Sequence, residues 1–345
     1  MLPARELSGT GFATSMVGLG CAGLFRIPER KTRRTVLDAA YDAGIRHFDV
    51  APMYGLGLAE TELSPFLKGR RADVTVTTKF GIDPTLLAQG VARVQKPVRA
   101  ALAKRPAVSD ELKTAAQGPR SGLVGRLLYA APGYHRRSAQ VSLDRSLREL
   151  KTDYIDVFLL HDPVGDLITG IPELTEYLDE QCRRGRIRCW GVTGDSAGLT
   201  SVVQRLGRSP VVQFKDDVFD PPLSEGPVPG GAKITYGALA FALPALRRYL
   251  AQSPDAVRSW SERLDTDLAQ ESSLPMLLLS VALRRNAAGP VLFSTTRPQR
   301  VGVAAEAASD AGRLSVADLT NVGELAGEVR LAAENLVAEK TNGTP

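Results

Sequence analysis

The sequence predicts an α/β fold: a closed (β/α)8 barrel forming a single domain over 1–345. Three observations lead to it. Eight short segments rich in aliphatic and β-branched residues recur along an uninterrupted chain. A helical pattern or a long loop follows each, and alternating β and α units imply a parallel sheet. Eight such units in about 300 residues suit closure into a barrel better than an open sheet. The alternative is a doubly wound sheet, because Gly18-Leu-Gly20-Cys-Ala-Gly23 has the G-x-G-x-x-G spacing of a dinucleotide-binding turn. That fold also wants an acidic ribose ligand after its second strand, and Asp49 lies near the right distance, but a Pro- and Tyr-containing turn follows it.

The units run in order. Residues 16–20 form an apolar first strand. A helix follows over 30–43, with Val36, Leu37, Ala40 and Tyr41 on one face and Gly44 as its C-cap. Strand two is 47–50. A turn with Pro52, Gly55 and Gly57 leads into a helix from residue 58, where Pro65 predicts a break or kink. Strand three, 74–79, is rich in β-branched residues and ends in Lys79. Residues 81–137 break the rhythm with five prolines and many cations, so an insertion or lid loop is expected there, with a short helix near 86–94. It reads either as a variable surface insertion or as a wall over the site.

The alternation then resumes. A helix over 138–150 carries Val141, Leu143, Leu147 and Leu150, and strand four, 154–161, ends in His161. Helix 171–184 opens at Pro172 and stops at Gly185. Strand five (187–193), helix 199–206, strand six (211–214) and strand seven (233–237) follow. Beyond a loosely patterned stretch come helix 274–285, strand eight (291–294), helix 298–308 and a C-terminal helical segment over 316–338.

Composition excludes several classes. Hydrophobic content of 43% and charged content of 23% are ordinary for a soluble globular enzyme. The net charge of +5 is scattered, which favours small anionic molecules over nucleic acid as partners. Lys104, Arg105, Lys113, Arg120 and Arg126 read as a solvated loop. Cys21, Cys182 and Cys189 are odd in number and lack metal-ligand spacing, so no metal site is expected and a reducing compartment is. Residues 1–10 lack the basic start and apolar core of a signal peptide, and no apolar run reaches the ~18 residues of a membrane span. The expected location is cytoplasmic.

In a barrel the C-terminal strand ends converge on one face. Asp49, Tyr54, Lys79 and His161 stand at or just past the ends of strands two, three and four. A free phenol titrates near 10, and a nearby ammonium lowers that value, so Lys79 is expected to acidify Tyr54. Asp49 can hold Lys79 by ion pairing, and His161 can donate to a carbonyl oxygen. Such a set is a general acid for carbonyl reduction or a general base for alcohol oxidation. No side chain supplies a hydride, so a nicotinamide cofactor is required.

Phe48-Asp-Val-Ala-Pro-Met-Tyr-Gly55, Thr78-Lys-Phe-Gly81 and Leu159-Leu-His-Asp-Pro163 resemble, in that order, the motifs of the aldo-keto reductase family. The resemblance extends from Val17 to about Ala308, and the family's catalytic tetrad falls on Asp49, Tyr54, Lys79 and His161. Ala51-Pro-Met-Tyr-Gly-Leu-Gly-Leu58 is similar to the bacterial aldose, L-fucose and pyridoxal dehydrogenase branch. The resemblance implies that Gln213 binds the nicotinamide carboxamide and that Tyr236 stacks on its ring. It implies a phosphate-binding loop at Ser294, Thr295, Thr296, Arg297 and Arg300, with Arg300 reading the 2′-phosphate. NADP(H) is therefore favoured, with NAD(H) as the alternative.

Three departures stand out. Thr193-Gly194 replaces an expected Ser-Asn, with Asp195 or Thr193 left to compensate. Val303-Ala304 replaces a Glu-Asn pair that would face adenine, and Gly302 weakens that helix start. The third is the 81–137 insertion. The expected activity is NAD(P)H-dependent interconversion of a carbonyl and an alcohol on a small molecule, with Tyr54 as acid and base. The alternatives are an NAD-dependent sugar dehydrogenase that oxidises an aldose to a lactone, and a non-enzymatic NADPH-binding regulatory barrel. Met53, Leu56 and Leu58 are the apolar candidates for the substrate floor.

Overall fold

The structure is a computed structural model and describes residues 2–85, 87, 88, 90, 127–131, 133–208, 211–221, 223 and 231–342, with side chains through 333. A short antiparallel hairpin, β1 (Ala4–Glu6) and β2 (Ala13–Ser15), comes first. Eight parallel strands then close a barrel: β3 (Val17–Gly20), β4 (His47–Asp49), β5 (Thr75–Phe80), β6 (Ile155–His161), β7 (Ile187–Thr193), β8 (Val211–Lys215), β9 (Ala232–Tyr236) and β10 (Val291–Phe293). They stand in chain order, and the last pairs with the first, Val291 opposite Val17. The open-sheet alternative is thereby excluded.

Two of the three glycines that raised that alternative serve the closing seam. A Cβ at Gly18 would lie 2.6 Å from Leu292 and 2.9 Å from His47, and one at Gly20 would lie 2.5 Å from the Ser294 hydroxyl oxygen. Close strand packing, and not a dinucleotide turn, requires them. The hairpin had no signal in the sequence, because its strands are three residues long and do not alternate. Its connecting Leu7 and Phe12 are buried with Val157, Leu159, Ile234 and Leu292 in one cluster of barrel residues.

Helices α1 (Arg30–Asp42), α2 (Ala59–Leu67), α3 (Arg136–Leu150), α4 (Ile171–Arg183) and α5 (Ser196–Leu206) follow β3 to β7. Pro65 does not end α2, which runs to Leu67 with the proline in its last turn. The loosely patterned stretch after β9 holds two helices, α6 (Ala242–Gln252) and α7 (Pro254–Arg263). In α6 Ala242, Leu246 and Leu250 are buried at helical spacing while Arg247 and Arg248 are exposed, and Ser253 caps α7 by accepting from the Ala256 amide at 3.3 Å, with Pro254 at its start. They pack with α8 (Ser273–Arg285) and α10 (Val316–Asn342) in a second core around Leu246, Leu250, Trp260, Leu278 and Leu325. The main core lies between the strands and the outer helices, with Phe48, Phe66, Phe80, Phe158 and Trp190 fully buried. Helix α9 (Val301–Asp310) covers β10 and β3.

The roots of the 81–137 insertion pair with each other. Pro84 faces Tyr129 in an antiparallel bridge, and Thr85 and Ala130 donate to Leu128 and Asp83 carbonyls at 2.9 Å. Ile82, Ala88, Leu128 and Tyr129 pack on Ala51 and Met53, with Tyr54 and Leu56 alongside. Leu58 instead packs on the main core. The expected helix at 86–94 lies mostly outside the described residues, as do the cations at 104–126.

Glu60, on α2, is wholly buried and accepts from the Thr78 hydroxyl at 2.7 Å. Burial raises its pKa from 4.5 to about 7; Glu149 adds to this, while Ser146, Thr78 and Arg145 oppose it. The folded carboxyl binds its proton more tightly than the unfolded one. That stability is fully present below about 4.5 and is lost as pH rises through about 7. The loss is on the order of 3 kcal/mol. Glu60→Gln is therefore expected to be more resistant to urea than the parent at pH 8 and little different at pH 5. Equal destabilisation at both pH values would contradict this.

Candidate active site

The C-terminal ends of β4, β5, β6, β8 and β9 deliver the candidate residues to one mouth. Asp49 ends β4 and Lys79 stands one residue from the end of β5; both are buried. Lys79 Nζ donates to Asp49 Oδ1 at 2.6 Å and to the Val50 carbonyl at 3.2 Å. Asp49 Oδ2 accepts from Gln213 Nε2, on β8, at 2.7 Å. Both carboxylate oxygens are thus occupied, the condition under which a buried charge pair is tolerated. The chain Gln213–Asp49–Lys79 spans the barrel end.

Tyr54 opens a short 3-10 turn, Tyr54–Gly57, whose Gly55 and Leu56 are left-handed at φ 61° and 57°. Phe25 leaves no alternative to glycine at Gly55, since a Cβ there would lie 2.3 Å from its ring. The turn sets the phenol ring 5.0 Å from Lys79 Nζ and edge-on to His161, with centroids 5.9 Å apart. His161 ends β6, is 6% exposed, and its Nδ1 has no hydrogen-bond partner among the described residues.

Electrostatics corrects one expectation. Tyr54 is pushed well above 10, first by burial, then by Asp49, Asp162 and Cys21. Burial and these negative groups outweigh the Lys79 ammonium, which is engaged by Asp49 and the Val50 carbonyl and faces the ring. The resting phenol therefore keeps its proton at neutral pH. His161 is held well below 6.5 by burial and by the Lys79 charge, so it is a neutral imidazole with a single N–H.

Tyr236 ends β9 and is partly buried. Burial raises its phenol most, followed by Asp162 and Tyr54. The loop after β10 lies next along the rim. Ser294 donates to the Gly20 carbonyl at 2.9 Å, and buried Thr295 accepts from the Arg297 amide at 3.1 Å. Pro298–Arg300 forms a 3-10 turn that leads into α9, with Thr296, Arg297 and Arg300 exposed. Such a helix start is suited to an anion. Of the departures, Thr193 is buried at the end of β7 and Asp195 is the exposed N-cap of α5.

The sequence reading missed three neighbours of this mouth. Cys21 directly follows β3 and is buried. Asp162, after His161, takes a left-handed φ of 48°. Tyr134, at the far root of the insertion, donates to the His161 carbonyl at 2.5 Å. The Asp-Pro pair at 162–163 was a usable turn signal; Tyr134 lay hidden in a Pro- and Gly-rich stretch.

Residues 16–215 match the model of the aldo/keto reductase family. D-threo-aldose 1-dehydrogenase from a Pseudomonas species is 32% identical over 190 residues, 54% of this chain and 51% of that protein. Pyridoxal 4-dehydrogenase from Microbacterium luteolum is 39% identical over 80 residues, 22% and 23% of the two chains. The chain thus aligns with about half the length of the first relative and under a quarter of the second. An aldo-keto reductase from Bacillus halodurans, in its holo form, is similar in fold, with a TM-score of 0.66 at 20% identity over 94% of this chain and 96% of that one.

Proposed function

The chain belongs to the aldo/keto reductase family, and from that premise we propose that it interconverts a carbonyl and an alcohol on a small molecule by hydride transfer with NADP(H). The observation that carries the reading is the buried Gln213–Asp49–Lys79 chain lying beside Tyr54 and His161 at one barrel mouth.

In reduction, Tyr54 gives its proton to the substrate oxygen; in oxidation it takes one back. Its resting pKa is high, so it stays loaded with the proton it must give. The Lys79 charge favours the phenolate that forms as that proton leaves, and Asp49 keeps the ammonium in place. Neutral His161 donates to the same oxygen and orients it.

The residues present fit a nicotinamide dinucleotide. When bound, it supplies or accepts the hydride. Tyr236 offers an aromatic face at the mouth, and Gln213, its amide nitrogen engaged by Asp49, offers its oxygen to the carboxamide. Ser294, Thr295, Thr296, Arg297 and Arg300 would hold the adenosine phosphates, with two exposed guanidiniums at a helix start.

Arg300→Ala is expected to weaken NADPH binding by ~10-fold, as for one exposed charge-assisted contact, and to leave NADH binding unchanged. Fluorescence titration with both nucleotides measures this; no loss, or equal loss for both, would remove the 2′-phosphate role. A second reading is oxidation of an aldose by NAD, favoured by the similarity to D-threo-aldose 1-dehydrogenase. Under it, turnover of L-fucose with NAD⁺ exceeds reduction of 4-nitrobenzaldehyde by NADPH.

A further inference from the structure

One side chain, Tyr134, ties together the strand ends that carry Lys79 and His161. It is wholly buried. Its hydroxyl reaches the His161 carbonyl at 2.5 Å and the Asp162 carbonyl at 3.3 Å. Its ring covers Gly81, two residues past Lys79, so closely that a Cβ there would lie 2.0 Å away. Gly81 also has a φ of 107°, so glycine is required on both counts. The backbone reinforces the link. Gly133 donates to the Gly81 carbonyl at 3.0 Å, Thr169 donates to the Tyr134 carbonyl at 3.2 Å, and Tyr134 bridges Ile168.

Catalytic imidazoles are commonly aimed by a hydrogen bond from the ring nitrogen that faces away from the reaction. In His161, Nδ1 is buried and has no such partner among the described residues. The ring direction must then come from its backbone and its packing. That backbone leads into Asp162, which sits at φ 48°, a conformation that a non-glycine residue keeps only when its surroundings impose it. The surroundings are specific: the Asp162 amide donates to the Thr193 carbonyl at 2.8 Å, and Tyr134 donates to the carbonyls of both residues.

We propose that Tyr134 is a positioning residue: by clamping the His161–Asp162 turn it aims the imidazole at the substrate oxygen. This rests on the reading of the site given above. A displacement of about 1 Å at a reacting group can cost ~100-fold in rate, so loss of the clamp is kinetic as well as structural.

The test is Tyr134→Phe, which keeps the ring and removes the donor. The assay uses 4-nitrobenzaldehyde with NADPH, or L-fucose with NAD⁺, whichever the parent turns over. Expected are a kcat ~10-fold lower or more and an unchanged KM for the nucleotide. The acid limb of kcat/KM should move to higher pH, because a looser, wetter imidazole titrates closer to its ordinary value. In a His161→Gln background the same substitution should cost nothing further in kcat. Asp162→Gly, which accepts the left-handed φ but loosens the clamped turn, should reproduce both effects, and it stands as the test should Tyr134→Phe not fold. The proposal is overturned if Tyr134→Phe lowers only the melting temperature, or if it lowers kcat equally in the His161→Gln background. If His161→Gln itself matches the parent, the reading of the site fails instead.

Discussion

Tyr54→Phe is expected to reduce kcat by ~1,000-fold or more while NADPH binds as tightly as to the parent protein. The phenyl ring keeps its edge contact with His161 and its place over Lys79, so the mouth retains its shape. What disappears is the oxygen that carries the proton. The expectation extends to pH. Burial and the Asp49 charge hold the phenol well above 10, so reduction should keep its rate through alkaline pH and fall only once the phenol ionises. An alkaline limb near pH 8 in the free enzyme would mean that Lys79 governs the phenol after all. At the acid end, His161 stays neutral to well below 6.5, and activity should hold down to that range. Stopped-flow NADPH oxidation with separate fluorescence titration separates the two quantities. A Phe variant with undiminished turnover would end Tyr54's role as the acid.

Lys79→Met is expected to be the most damaging change to stability in the site, by about 3–5 kcal/mol. Among the described residues, Asp49 would stay buried with Gln213 as its remaining side-chain donor. Turnover should collapse as well, because nothing else on β5 offers a positive charge to the nascent phenolate. The two losses have different origins and can be parted. Lys79→Met combined with Asp49→Asn removes the stranded charge and should recover most of the stability without recovering activity. Urea denaturation midpoints and NADPH oxidation rates are the measurements. If the double variant is as unstable as the single one, lost packing of the lysine stem, and not the uncompensated carboxylate, is the cause.

Much of this was legible before the structure. Most barrel strands are compact runs of aliphatic or β-branched residues, a local signal that needs no knowledge of its neighbours, while β4 (His47–Asp49) is carried by Phe48 between Ile45 and Val50. The tetrad followed because chemistry-bearing residues stand where such runs end. Elements built from few or mixed residues were not legible. The β1–β2 hairpin is too short to show a period, and α7 buries only Trp260, although α6 does carry a readable stripe of Ala242, Leu246 and Leu250. The break or kink expected at Pro65 did not end α2, because the proline lies in the last turn of a helix that runs to Leu67.

The sequence by itself determined the alternation that closes the barrel and the set of residues at its mouth, because both are written in local pattern and residue type. Tertiary structure alone decided their state. Whether Tyr54 is acidified or loaded depends on burial and on where the Lys79 ammonium is spent, and those are sums over β3, β4, β5 and β6. The hydrogen bond from Tyr134 to the His161 carbonyl, 27 positions later, likewise exists only once the insertion's far root is folded against the end of β6.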